Sequence, residues 1–339
     1  MSELRFAMLG TGFWARFQLA GWLELPGAKC VALFNRTPSK ATKMAEEFGI
    51  PAVYDNVEDL LARESLDFLD VVTDVGAHSH YVRLAARHHL PVICQKPMAR
   101  TLEEAQDMVA ATAAANVPLL INENWRWQKP LRQLKAILDS GELGTIVRAR
   151  IDYANSFPVF DNQPFLKTLE HFILTDIGTH ILDVARYLFG EARELVCHTR
   201  RIREDIAGED VASVMLKMSN ELTVICNMSY ASRWEFDRFP ETFVFVEGSN
   251  GGVTLGAGYE LTTYTADGNR SQIAAPEVYA WSDPAYALVH SSIVDCQRNL
   301  LGSLRGECLA ETTGQDNLRT LELVFSAYRS AREGIVIKL

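Results

Sequence analysis

Gly10-Thr11-Gly12-Phe13-Trp14-Ala15 is a Gly-x-Gly-x-x-Ala turn set directly after the apolar run Phe6-Ala7-Met8-Leu9 and directly before a stretch that reads as helix. The first glycine permits a tight turn, the second lets a pyrophosphate approach the backbone, and the small Ala15 lets helix and strand pack closely. The N-terminus of the following helix favours negative charge. With a strand before it and a helix after it, the pattern predicts a dinucleotide site, with Gly10, Gly12, Phe13 and Trp14 as cofactor contacts.

Outward from that turn, strand-like and helix-like segments alternate. Val31-Ala32-Leu33-Phe34, Phe68 to Val72, Val92-Ile93-Cys94 and Leu119-Leu120-Ile121 are short apolar runs, as expected of strands buried on both faces of a parallel sheet. Thr37-Pro38 opens one intervening helix, Ala41, Met44, Ala45 and Phe48 mark its apolar face, and Gly49 ends it. Thr101 and Glu104 form a capping-box pattern ahead of another. The pattern predicts a doubly wound α/β domain of the Rossmann type over residues 1–124.

After residue 124 the period changes. A helix carrying Leu131, Leu134, Ile137 and Leu138 stops near Gly141, and strands then dominate to about residue 270. Leu222, Val224, Cys226, Met228 and Tyr230 alternate with Thr223, Ile225, Asn227 and Ser229, which predicts a half-buried strand in an open sheet. Two helical stretches, 285–302 and 315–333, close the chain. Residues 125–339 therefore read as an α+β domain with a large open, mostly antiparallel sheet, which binds substrate and, through its exposed face, a second subunit.

Composition narrows the partners. The net charge is -10, and a surface that coats phosphates needs clustered cations, so nucleic acid is not an expected partner. Charges interrupt every apolar run before the roughly 18 residues of a membrane span. The N-terminal apolar segment leads into the glycine turn without a small-residue cleavage site, so it does not read as a signal peptide, and a cytoplasmic location is expected. Cysteines at 30, 94, 197, 226, 296 and 308 form no C-x-x-C pair and read as reduced core residues.

NAD-preferring sites place an acidic residue at the end of the second strand, to bind the ribose 2′-hydroxyl. Here Asn35 stands there, followed by Arg36. An arginine suits a 2′-phosphate and no carboxylate is evident beside it, so the reading leans towards NADP over NAD. Asn35 can also bond a free hydroxyl, which keeps NAD open.

Several further motifs stand in order along the chain: Thr73 to His78 after the Phe68–Val72 run, Gln95-Lys96-Pro97, Asn124-Trp125-Arg126-Trp127, Gly141-Glu142-Leu143-Gly144, Asp176-Ile177-Gly178-Thr179-His180, Glu247-Gly248 and Ser330-Ala331-Arg332-Glu333-Gly334. Together with the glycine turn this ordered set resembles the glucose-fructose oxidoreductase / inositol dehydrogenase (Gfo/Idh/MocA) family over nearly the whole chain. The resemblance implies an NAD(P)-dependent oxidoreductase that moves a hydride between nicotinamide and a sugar, sugar lactone or cyclitol: a pentose such as xylose or apiose, a hexose or an inositol. It implies dimers or tetramers. Where the family usually reads Glu-Lys-Pro this chain has Gln95, so the glutamate's role does not carry over, and Gln95 is left to meet substrate or the nicotinamide end of the cofactor.

The catalytic expectations also stand on chemistry. Lys96 follows a strand at the carboxyl edge of the sheet, where an ammonium holds and polarises a substrate oxygen. Asp176 and His180 lie one turn apart on an expected helix whose buried stripe is Leu174, Ile177, Ile181, Val184, Ala185 and Leu188, with Asp183 and Tyr187 on the same polar side. Histidine takes a hydroxyl proton near neutrality, and an aspartate one turn away orients substrate and favours the imidazolium. An i,i+4 surface pair is the bland alternative. Thr73 and His78 are expected beside the cofactor; Trp125, Arg126, Asp161 and His171 are candidate substrate contacts, and Trp125 to Trp127 serve equally as packing. No standard metal-ligand spacing occurs. Two other functions fit the same features: an NAD-dependent glycosidase of this fold, and a non-catalytic dinucleotide-binding sugar sensor.

Overall fold

The computed structural model describes residues 3–233 and 239–339. The chain divides into two compact units, Met1–Glu123 with Ile293–Arg319, and Asn124–Ser292 with Thr320–Leu339.

The first unit runs β1 (Leu4–Leu9), α1 (Phe13–Leu23), β2 (Ala28–Phe34), α2 (Pro38–Phe48), β3 (Ala52–Tyr54), α3 (Val57–Arg63), β4 (Phe68–Val71), α4 (Val75–Arg87), β5 (Val92–Gln95), α5 (Leu102–Ala114) and β6 (Leu119–Asn122). The six strands are parallel, in the order β3-β2-β1-β4-β5-β6. The order reverses between β1 and β4, and in such sheets ligands bind outside the carboxyl ends of the strands at that reversal. The glycine turn follows β1, and the Thr73–His78 segment follows β4. The expected apolar runs are all strands. β3 was not evident in the sequence, because its three half-buried residues form an edge too short to show a period. Thr37 precedes Pro38 at the start of α2, and Gly49 ends it at φ +67°. Thr101 accepts from the Glu104 amide at 3.1 Å as a capping box requires, but the Glu104 carboxylate reaches back one residue further, to the Arg100 amide at 3.2 Å.

The second unit contributes α6 (Lys129–Asp139), β7 (Ile146–Ala154), α7 (Val159–Asn162), a π-helical turn (Leu174–Gly178) running into α8 (Thr179–Phe189), then β8 (Ala192–Arg200), β9 (Val211–Met218), β10 (Thr223–Ser229), β11 (Phe243–Gly248), β12 (Gly251–Leu255), β13 (Glu260–Thr265) and β14 (Gly268–Ile273). α9 (Ala287–Leu304) and α10 (Gly314–Glu333) follow, and β15 (Ile337–Lys338) is the last strand. Among the described residues the strands form a nine-stranded sheet, ordered β14-β13-β12-β11-β7-β10-β9-β8-β15, in which only β7 and β10 run parallel. The alternation read in β10 is observed: Val224, Cys226 and Met228 are buried while Thr223, Ile225 and Asn227 are partly exposed. Each fully buried aliphatic side chain of this kind contributes roughly 1.5–3 kcal/mol.

The expectation that all residues after 124 form one block is corrected by Ile293–Arg319, which rejoin the first unit. Gln297 donates to the Gln18 backbone oxygen at 2.9 Å, and the Ile121 amide donates to the Thr312 oxygen at 2.7 Å. These partners are 279 and 191 residues apart, beyond the reach of any local pattern.

Candidate active site

In the first unit the turn is built as its residues require. Gly10 has φ +105°, and a Cβ there would lie 2.4 Å from the Val72 oxygen. Gly12 immediately precedes α1, and a Cβ on it would meet nothing within 4 Å, so the backbone is open on the side where a phosphate would approach. The first turn of α1 carries no acidic residue and no side chain caps it. Ala15 is fully buried. Phe13, Trp14 and Phe17 stack edge to face, with centroids 5.2–5.9 Å apart, and Phe13 is 37% exposed. These features fit a bound dinucleotide, held by the amides of the α1 N-terminus.

Asn35 is tied down: its amide nitrogen donates to the Thr11 hydroxyl, and its oxygen accepts from the Thr37 amide at 2.8 Å. Arg36 lies 3.1 Å from Asp74 with both side chains well exposed. The expectation that no carboxylate stands beside Arg36 is therefore corrected. Asp74 comes from the end of a different strand, so its proximity could not be read along the chain. An exposed pair of this kind is worth at most about 1 kcal/mol and opens readily.

His78 lies in the first turn of α4 and is buried. Its Nδ1 lies 3.1 Å and 3.2 Å from the Pro97 and Met98 oxygens, and its Nε2 lies 3.2 Å from the Thr73 oxygen. Burial lowers the imidazole below its ordinary value. The ring thus ties the end of β4 to the segment after β5, which begins with a cis Lys96–Pro97 peptide. Gln95 ends β5, and its Oε1 accepts from Gln18 at 3.1 Å.

In the second unit the Asp176–His180 segment is not a plain α-helix, as the sequence suggested, but a π turn followed by α8. Single π turns inside helices are frequent at functional sites. Two local causes are visible. Thr175 and Thr179 hydroxyls bond back to carbonyls of the preceding turn, at His171 and Phe172 and at Thr175 and Asp176, and such back-bonding bends helices. The buried Glu209 carboxylate accepts from the Phe172 and Leu174 amides and from the Tyr328 hydroxyl at 2.6 Å, anchoring the start of the turn.

The face expected to be polar and open is mostly buried. Asp176 is partly exposed, but His180 is 2% and Asp183 0% exposed. The Trp125 ring stacks on His180 at 4.1 Å, while its indole nitrogen donates to Thr242 at 3.2 Å. The Arg126 fork closes on Asp183, with Nε 2.7 Å from Oδ2, and Thr320 also donates to Asp183. Thus the guanidinium that the sequence offered to a polyol already holds a buried carboxylate. Trp127 packs under Arg132. Asp161 is exposed on α7, and His171 is exposed with its ring 4.2 Å from that of Tyr328.

Sequence reasoning missed Tyr230 as a site residue. Its hydroxyl donates to Asp176 Oδ2 at 3.1 Å, and burial pushes the phenol well above its ordinary value, so it stays a donor. A buried tyrosine hydroxyl needs a partner, and its place on the inward face of the β10 alternation was the available signal. Tyr230 stacks with Phe172 and meets Tyr153 edge-on, so Asp176 and His180 are bordered by Phe172, Tyr230, Tyr153 and Trp125.

Comparison with known proteins matches this architecture. A family model described as an oxidoreductase family with NAD-binding Rossmann fold matches residues 4–123, and a GFO/IDH/MocA C-terminal domain model matches 131–254. The chain is 40% identical over its full length to a D-apiose dehydrogenase of Paraburkholderia graminis, covering 90% of that protein. It is 36% identical over its full length to a D-apiose dehydrogenase of Rhizobium rhizogenes, covering 98% of it. Among solved structures, an oxidoreductase from Agrobacterium radiobacter in complex with NAD+, L-tartaric acid and magnesium superposes with a TM-score of 0.97 at 36% identity, over 99% of this chain and 98% of that one.

Proposed function

The chain belongs to the Gfo/Idh/MocA oxidoreductase family, an NAD(P)-dependent dehydrogenase of sugar CH–OH groups, and on that premise we propose that it oxidises D-apiose with NAD as the cofactor. The observation that carries the substrate is the full-length match, at 40% identity, to a D-apiose dehydrogenase. The choice of NAD over NADP is supported by Asp74, whose carboxylate offsets Arg36 where a 2′-phosphate would need an uncompensated cation, and by the NAD+ bound in the 36% identical structure.

The bound cofactor would supply a nicotinamide carbon that accepts hydride. Each side chain then has a role. Lys96 holds and polarises the reacting oxygen. His180 takes the hydroxyl proton in oxidation and returns it in reduction. Trp125 fixes the plane of the His180 ring, and Tyr230 orients Asp176, which binds substrate and favours the imidazolium.

The open face of the nine-stranded sheet is proposed to pair with a second copy of the chain. It carries Phe245 and Met215 at 36% and 46% exposure, and a cavity of about 870 Å³ lined in part by Arg150, Asp152, Asn227 and Phe243. A cytoplasmic location is supported by six cysteines without a disulfide, five of them buried. No helix among the described residues is long and apolar enough to cross a membrane.

The test is absorbance at 340 nm with NAD and NADP, each against pentoses, hexoses, uronic acids and inositols. The expected result is the highest kcat/KM with D-apiose and NAD. A higher value with another sugar overturns the substrate. Release of a free sugar from a glycoside without net absorbance change would establish a glycosidase instead.

A further inference from the structure

Three glutamines of the first unit form one chain of hydrogen bonds ending beside Lys96. Gln297 Nε2 donates to the Gln18 backbone oxygen at 2.9 Å and to Gln18 Oε1 at 2.7 Å. Gln18 Nε2 then donates to Gln95 Oε1 at 3.1 Å. Gln297, Gln18 and Gln95 are 0%, 1% and 8% exposed.

The direction of this relay is dictated by one atom. A backbone carbonyl only accepts, so the Gln297 group facing the Gln18 oxygen must be its NH2. The Gln18 atom that meets the same NH2 must then be its carbonyl oxygen. That leaves the Gln18 NH2 for Gln95, and the Gln95 atom it meets must be an oxygen. The Gln95 NH2 is therefore the free end of the relay. Helices α1 and α9 pack closely around it: a Cβ on Gly21 would lie 2.5 Å from Gln297 Oε1, so position 21 admits no larger residue without moving the relay.

We propose that Gln95 is a specificity residue that donates a hydrogen bond from Nε2 to an oxygen of the bound ligand, and that Gln18 and Gln297 are positioning residues that fix its amide in that orientation. The inference deepens the proposed function and rests on its placing Lys96 at the reacting oxygen. A glutamate at position 95 could accept from Gln18 equally well but could only accept on its outer side, so the amide reverses the hydrogen-bonding sense of that position. The acceptor is a carbonyl or hydroxyl oxygen, supplied either by the nicotinamide carboxamide or by the sugar.

The test compares Gln95→Met, Gln95→Glu and Gln18→Met in the full-length enzyme. NADH affinity is measured without sugar, and kcat/KM for the best sugar at saturating NAD. Gln95→Met and Gln95→Glu are both expected to lose about threefold to tenfold. A loss in NADH affinity assigns the acceptor to the cofactor; a loss in kcat/KM with NADH affinity intact assigns it to the sugar. Gln18→Met leaves the donor present but free to turn, so with two orientations about equally populated its loss is about twofold. Three results overturn the inference: both Gln95 variants within twofold of the unaltered enzyme, a loss in Gln95→Glu alone, which would indicate charge, or Gln18→Met losing as much as Gln95→Met, which would indicate packing. Should Gln95→Glu fail to fold, the two neutral variants decide by the same criteria. If no sugar is turned over, the proposed function fails separately, and the NADH affinities alone decide this inference.

Discussion

Asp70 in the first unit and Asp183 in the second are both fully buried, and they are held in different ways. Asp70, on β4, accepts from the Trp22 indole at 2.7 Å and the Asn122 amide at 3.3 Å, both neutral donors. Burial outweighs those bonds and raises its carboxyl to about 7. Asp183, on α8, faces the Arg126 fork, with Arg186 3.9 Å away and Thr320 donating as well. The same contrast extends outward. The end of β5 is organised by glutamine amides and by His78, whose imidazole burial holds below its ordinary value, whereas the segment carrying Asp176 and His180 is anchored by Glu209 and bounded by the Arg126–Asp183 pair. Neutral donors leave a buried carboxyl able to take up a proton. A guanidinium fork sets an opposite charge against it but makes each partner dependent on the other.

The largest effect should come from breaking the charged side of this comparison. Asp183→Asn takes the opposite charge away from the buried Arg126 fork and is expected to cost about 3–5 kcal/mol in denaturant unfolding. Asp70→Asn should instead leave stability at pH 8 unchanged or raised, because an amide mimics the protonated carboxyl: its oxygen still accepts from Trp22, and its NH2 donates to Asn122 once that amide turns its oxygen, which lacks a partner, toward position 70. Equal losses from the two variants would erase the distinction.

The pH dependence sharpens it. Between the ordinary carboxyl value of 3.8 and about 7, the native state retains a proton on Asp70 that the unfolded chain has released. Stability therefore falls as pH rises through that window and levels above it. In Asp70→Asn this part of the slope should vanish; an unchanged slope would assign it to other groups.

Turnover separates the units in another way. Lys96→Ala and His180→Asn should each lower kcat by about 10²–10⁴-fold, with NADH still bound. Near-normal turnover in either removes that residue from the chemistry. Tyr230→Phe takes one hydrogen bond from Asp176 and should cost about tenfold in kcat/KM, checked by steady-state kinetics with thermal stability monitored in parallel. The smallest effect is expected at the exposed Arg36–Asp74 pair. Asp74→Asn should raise the NADP-to-NAD ratio of kcat/KM by about twofold to fivefold, and no change would place the ribose away from Arg36.

What could be read along the chain was what neighbouring residues decide. The glycine turn, the buried runs of the parallel sheet, the Gly49 and Gly141 helix ends and the two-residue alternation of β10 follow from backbone freedom and side-chain period, which act over a few residues. The segment from Asp176 to His180 was located in this way, but its π turn was not, because the Glu209 carboxylate that anchors it lies over 30 residues away. Asp74 beside Arg36, Tyr230 on Asp176, Arg126 on Asp183 and Gln297 on Gln18 are partners separated by 38, 54, 57 and 279 residues. Sequence determines that such polar groups need partners when buried. Only the path of the folded chain decides which partner arrives, and with it whether a buried group is held by a charge or by a neutral amide.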